Sequence, residues 1–199
     1  MISTQRHQQR RLKLRSEISQ PILLMGHGHR SRNFRANTLP FRQESNFLYF
    51  TGCTLPNSAL YMDHEKEILF LELKDEDDAL WHGPSLSIEE QAYKLGFSQV
   101  VDIMELPKYI DNQKTLSIAT QDLQVNQSLE QMLNRPFNSG SISEQWGDLE
   151  LIKNIAKLRI YLDEEEIQEI RNTSRTTQRA HIAALKATKI GSTEMYVAS

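Results

Sequence analysis

The sequence predicts an α/β fold: a mixed sheet with flanking helices, followed by a long C-terminal helix. Three observations predict it. Ile22–Met25, Phe47–Phe50 and Ile68–Leu71 are short runs with large apolar side chains at every position, so bulk projects from both faces of an extended strand. Strands of that kind belong in a sheet covered on both sides. Between residues 85 and 135 strand and helix patterns alternate, which places helices on the sheet faces. Finally, Asp163-Glu164-Glu165-Glu166 has the form of a capping box, with acids in the first turn of a helix that runs to about Thr188.

Taken in order, residues 4–18 read as a surface helix closed before Pro21, with Leu12, Arg15 and Ile18 toward the domain. Ile22–Met25 is a short buried strand ending at Gly26. Residues 26–46 have no clear period, and so long a loop is functional or tied down by side chains. Phe47–Thr51, Ala59–Met62 and Glu67–Leu73 read as a three-strand meander, with Phe47–Thr51 inside the sheet. Ser87-Ile88-Glu89-Glu90 is a further capping box, opening a helix with Ile88, Ala92 and Leu95 inward and Gly96 as its stop. Gln99–Asp102 and Leu116–Thr120 read as strands, Met104–Ile110 and Val125–Leu133 as helices. Asn138-Ser139-Gly140-Ser141 has linker composition, and Leu149–Leu158 reads as a helix leading out of the domain.

Composition narrows the function. The chain has 199 residues, 39% hydrophobic and 25% charged, which suits a globular protein with a sizeable core. No apolar run is long enough to span a bilayer, and the first twenty residues lack the apolar stretch of a secretory leader. No membrane partner is expected. The lone Cys53 suits a reducing, cytoplasmic setting. The net charge of -3 conceals an asymmetry, because residues 1–43 hold nine Lys/Arg against one acid, Glu17. Such a start suits a nucleic-acid or acidic partner, a transit peptide, or a solvated helix followed by a basic loop; the last is the simplest reading.

Several local patterns invite chemistry. Gly26-His27-Gly28-His29 pairs two imidazoles, yet a metal site needs three or four ligands and no Cys or acid lies nearby in sequence. Neither phosphate-loop glycine pattern is present. Lys74-Asp75-Glu76-Asp77-Asp78 groups four carboxylates, but neighbours in an extended loop point different ways, and a solvated acidic surface accounts for them. Residues 42–46, Arg-Gln-Glu-Ser-Asn, form a polar run able to saturate backbone groups where a loop enters a core.

That run carries a resemblance. Phe-Arg-Gln-Glu-Ser-Asn-Phe-Leu-Tyr-Phe-Thr-Gly at 41–52, followed by Leu55-Pro56-Asn57-Ser58-Ala59-Leu60, resembles the N-terminal domain of Xaa-Pro aminopeptidases (aminopeptidase P) and the related proline dipeptidases. Asp75–Gly83, which includes Trp81-His82-Gly83, is similar to the family's stretch of charge followed by Glu-Ile-Trp-x-Gly. Leu158–Tyr161, Glu165–Arg171, Ala180–Lys186 and Gly191–Glu194 are similar to its entry into the catalytic domain, in the right order. Leu162 and Asp163 depart from the usual Lys-Ser, and Ile190 stands where a Pro is common.

The resemblance implies a creatinase-like, ribonuclease H-like domain over residues 1–158 and the start of a pita-bread metallopeptidase domain over 159–199. It implies a parent enzyme that releases the N-terminal residue before proline, acting on peptides with proline second. Its two divalent metals, Mn or Zn, would be bound by two Asp, one His and two Glu beyond the first catalytic-domain helix. None of these has a counterpart here, and His181 is not one of them by motif. This chain is therefore expected to be non-catalytic alone, shaping substrate access and contacts in a homo-oligomer. Trp81, with His82 beside it, is the expected substrate-proximal residue. Arg42, Gln43, Ser45, Asn46, Tyr49 and Gly52 are expected as structural residues of the family motif. The alternatives are a binding module using the basic first 43 residues, and the N-terminal domain of a prolidase or creatinase relative.

Overall fold

The computed structural model describes residues 2–34, 36–73, 80, 83, 85–137 and 147–198. Contacts divide the chain into two units, residues 4–160 and residues 161–199 with the first three. The first unit runs α1 (Thr4–Glu17), β1 (Ile22–Met25), α2 (Ser45–Thr51), β2 (Ala59–Met62), β3 (Glu67–Leu71), α3 (Ile88–Lys94) and β4 (Val100–Asp102). A 3-10 turn (Ile103–Tyr109), β5 (Leu116–Ser117), α4 (Leu123–Leu133) and α5 (Asp148–Arg159) complete it. The second holds α6 (Glu164–Ala187) and α7 (Glu194–Ala198).

The five strands form one mixed sheet in the order β4-β3-β2-β1-β5. β1–β2 and β2–β3 are antiparallel, while β1–β5 and β3–β4 are parallel. Alternation along β1 assigns the faces. Ile22 and Leu24 join a core with Leu14 of α1, Phe47 and Phe50 of α2, Ala92 of α3 and Leu151 and Ile155 of α5. Leu23 faces the other way, with Leu106, Leu129 and Leu133 from the 3-10 turn and α4. The sheet is thus covered on both sides, as the fully apolar β1 and β2 at its centre require.

The main correction concerns residues 47–51, which are helical rather than an interior strand. The apolar run is real, but the residues around it cap a helix. Glu44 is extended (φ -61, ψ 133) and accepts from Phe47 N at 2.6 Å, while Gly52 takes the left-handed conformation (φ 67) and donates to Leu48 O. Within that frame Phe47, Phe50 and Thr51 share the buried face. The antiparallel trio is therefore β1–β2–β3, with Ile22–Met25 in the place expected for 47–51.

α1 differs too. Its buried face is His7, Arg10, Arg11 and Leu14, with Leu12 52% exposed. α5 belongs to the core rather than leading away from it, through Leu151 and Ile155. The 26–44 segment is folded: Arg32 N bonds Asn37 O, Leu39 N bonds Arg30 O, and Ser31 pairs with Thr38. The capping boxes at Ser87–Glu90 and Asp163–Glu166 are both present. In the second unit α6 is amphipathic, yet none of its residues is buried. Ser3 donates to Glu165 through its backbone N–H (2.6 Å) and hydroxyl (2.9 Å).

Candidate functional site

The polar run ahead of α2 is a junction. Gln43 is buried, and its Oε1 accepts from His27 N (2.7 Å) and Glu44 N (2.9 Å). Its Nε2 donates to Leu55 O (2.7 Å). One side chain thus joins the exit from β1, the start of α2 and the approach to β2, three backbone segments whose polar groups would otherwise be buried unpaired. The junction is tight: a Cβ on Gly26 would lie 2.8 Å from Ser58 Oγ and 2.9 Å from Gln43 Oε1. Glu44 is also buried, one oxygen capping α2 and the other accepting from Asn46 Nδ2 at 3.1 Å.

The far end of α2 is held by two arginines and a histidine from α1. Arg10 donates to Tyr49 O (3.2 Å), Arg11 to Phe50 O (2.9 Å), and His7 Nδ1 lies 2.8 Å from Tyr49 O. Positive groups at a helix C-terminus satisfy its last carbonyls and suit its dipole. Arg11 also binds Glu67 (2.6 Å) and stacks on Phe97. Burial pulls its pKa down from the ordinary value, against the opposing pull of Glu67. Arg10 and Arg11 are therefore internal, so the basic N-terminus offers less open charge than its composition suggests.

Beside this junction, at the carboxyl ends of β1 and β5, lies a crevice of about 460 Å³. His27, Arg30, Arg42, Glu44, Ser45 and Gln121 contribute to its walls. Gln121 is placed by a second buried network, in which Thr120 N donates to Asn126 Oδ1 (2.7 Å) and Asn126 Nδ2 to Thr120 O (3.0 Å). Arg135 and Asp148 fix the neighbouring strand with two charge-assisted bonds of 2.8 and 2.9 Å; Asp148 also accepts from Ser117 N.

Of the residues singled out from sequence, Gln43 is a buried tie and Gly52 the left-handed stop of α2, where a Cβ would meet His7 Nε2 at 2.8 Å. Tyr49 donates to Leu158 O at 3.0 Å, and Asn46 accepts from Arg159. Arg42 and Ser45 are exposed at the crevice. Trp81, His82 and the acids at 75–78 lie outside the described residues. Sequence reasoning gave Glu44 no separate role, though an acid three residues before the first buried Phe is a cap signal. It had no means of finding Gln121, which only the pairing of β5 with β1 brings to the site. Among the described residues no group of three or more His, Cys, Asp or Glu side chains is placed to hold a metal ion.

Fold and site together define an α/β scaffold domain whose most distinctive residues are spent on seating a short helix against the sheet. The family model described as "Aminopeptidase P, N-terminal domain" matches residues 7–119, and the chain belongs to that family. It is 32% identical over 165 residues to a probable Xaa-Pro aminopeptidase pepP of Metarhizium acridum, covering 78% of this chain and 30% of the relative. It is 28% identical over 155 residues to a probable Xaa-Pro aminopeptidase PEPP of Ajellomyces dermatitidis, covering 76% and 32%. Among solved structures, the low-pH form of aminopeptidase P from Escherichia coli superposes with TM-score 0.74 at 23% identity, over 100% of this chain and 48% of that one. Aminopeptidase PepP from Pseudomonas aeruginosa gives TM-score 0.77 at 20% identity, over 99% and 47%. The chain thus spans about a third of the curated relatives and about half of the solved chains.

Proposed function

We propose that this chain serves as the non-catalytic N-terminal part of a Xaa-Pro aminopeptidase, shaping access to a peptidase centre supplied by other residues. The parent activity is release of the N-terminal residue from peptides with proline second. The metals of that centre, Mn or Zn, would be held by residues of the parent beyond the first helix of its catalytic domain, as the family resemblance implies. A cytoplasmic, homo-oligomeric parent completes the reading, and a dipeptidase parent is the nearest variant of it.

The observation that carries the proposal is how the signature is used. The side chains of Gln43, Glu44 and Asn46 bond backbone or other side chains of this chain. Each of these bonds serves to hold the domain together. Two assays test this. Purified 199-residue chain with a Xaa-Pro peptide and manganese should release no amino acid; hydrolysis that follows the chain through purification overturns the proposal. Residues 1–160 grafted in place of the corresponding part of the Metarhizium acridum relative should support release before proline. A folded but inactive chimera would count against the role in substrate access.

A further inference from the structure

We propose that the crevice between β1 and β5 is a subsite for a carboxylate, that of a peptide's C-terminus or acidic side chain. The argument begins with chain path. β1 and β5 are parallel neighbours, with Ile22 opposite Leu116 and Leu23 opposite Ser117. β1 leads to α2 on one face of the sheet, and β5 leads to α4 on the other. Where successive connections diverge in this way, an open α/β sheet leaves a crevice outside its strand ends, and ligands bind there. The volume of about 460 Å³ lies within the roughly 300–1,000 Å³ common for small-ligand sites.

The lining sets the ligand class. Glu44 is the single carboxylate among the crevice residues, and both its oxygens already accept hydrogen bonds. Arg42 is exposed at the rim. Arg30 reaches Gln121 O at 2.7 Å and Asp122 at 3.4 Å, with 49% of its side chain still accessible. A planar guanidinium receives a carboxylate through two parallel N–H bonds. A phosphate would ask for backbone N–H groups as well, and those of His27 and Glu44 are committed to Gln43. The Gln43 and Thr120–Asn126 ties hold the walls before any ligand arrives, which lowers the ordering cost of binding. That the carboxylate belongs to a peptide rests on the function proposed above; the preference for a carboxylate does not.

The test is a nitrogen-15 NMR titration of the 199-residue chain with Ala-Pro-Ala as free acid, its C-terminal amide, inorganic phosphate and a thymidine oligonucleotide. The free acid should move the amide signals of Gly28, Arg42 and Gln121, with the amide binding at least about tenfold more weakly. Arg42→Gln should weaken binding of the acid by about tenfold at unchanged Tm, and Arg42→Lys by less. Equal response to acid and amide, indifference to both Arg42 variants, or a stronger response to phosphate or oligonucleotide would overturn the proposal. Hydrolysis by the chain is read separately, so failure here leaves the scaffold reading standing, and hydrolysis leaves this subsite standing.

Discussion

α2 and α6 are opposite solutions to making a helix. α2 has seven residues, too few to be stable alone, and is held by its surroundings. Buried Gln43 and Glu44 serve its first turn, Arg10 and Arg11 its last carbonyls, and Phe47 and Phe50 are fully buried between. α6 has 24 residues, a capping box, three acids in its first turn and a lysine in its last, and no buried residue. Its order is written locally; that of α2 is written in the rest of the domain. A stretch of sequence can therefore be central to a fold and still hide its own secondary structure.

The sharpest way to break this comparison is to empty the α2 side of the core. Phe47→Ala should cost about 3–5 kcal/mol, read as a fall in the denaturation midpoint of the domain. Gln43→Leu removes three close ties and strands the N–H groups of His27 and Glu44. At about 1–3 kcal/mol per buried unsatisfied group, it should destabilise nearly as much. A loss below about 0.5 kcal/mol would mean that the junction does not hold the fold.

These elements also show how much was legible. The capping boxes at Ser87 and Asp163 lie within four consecutive residues, and both were readable at their true positions. The mixed sheet was readable as a class, because apolar runs at 22–25 and 68–71 do form strands. Phe47–Phe50 misled because a four-residue apolar run has no period to separate strand from helix. Its caps were in view, but Glu44 was weighed only as part of a polar run. Arg10 and Arg11 looked like surface charge because their partners, the carbonyls of Tyr49 and Phe50 and the carboxylate of Glu67, lie far along the chain. The crevice depends on strand order and on which face each helix takes, and neither is written locally.

Smaller effects sharpen the contrast. Glu44→Ala should cost about 1–2 kcal/mol of global stability through its lost cap, whereas Asp163→Ala should lower helical signal by loss at the start of α6 and leave the domain midpoint unchanged. The smallest effect is a pH effect. Burial opposes ionisation of Asp63, but N–H bonds from Glu65 and Lys66 and the Tyr61 hydroxyl outweigh it and hold the carboxyl below its usual range. A depressed carboxylate stabilises the fold above its unfolded pKa, and that contribution fades as pH falls through the folded value. Asp63→Asn should therefore flatten the acid limb of a Tm-against-pH curve slightly. The same contact, after burial, lifts the Tyr61 pKa to about 12, so its phenol should stay mostly protonated in a titration to pH 11.

Native-state hydrogen exchange compares the two helices in one sample. The amides of Leu48 and Gly52 in and after α2 should exchange only with global unfolding of residues 4–160, their free energies matching the denaturant-derived stability. Amides in the middle of α6 should exchange at far lower free energy, by local opening. Fast local exchange at Leu48 and Gly52, with Gln43 and Glu44 intact, would contradict the account: the signature segment would then be an ornament on the fold and not its fastening.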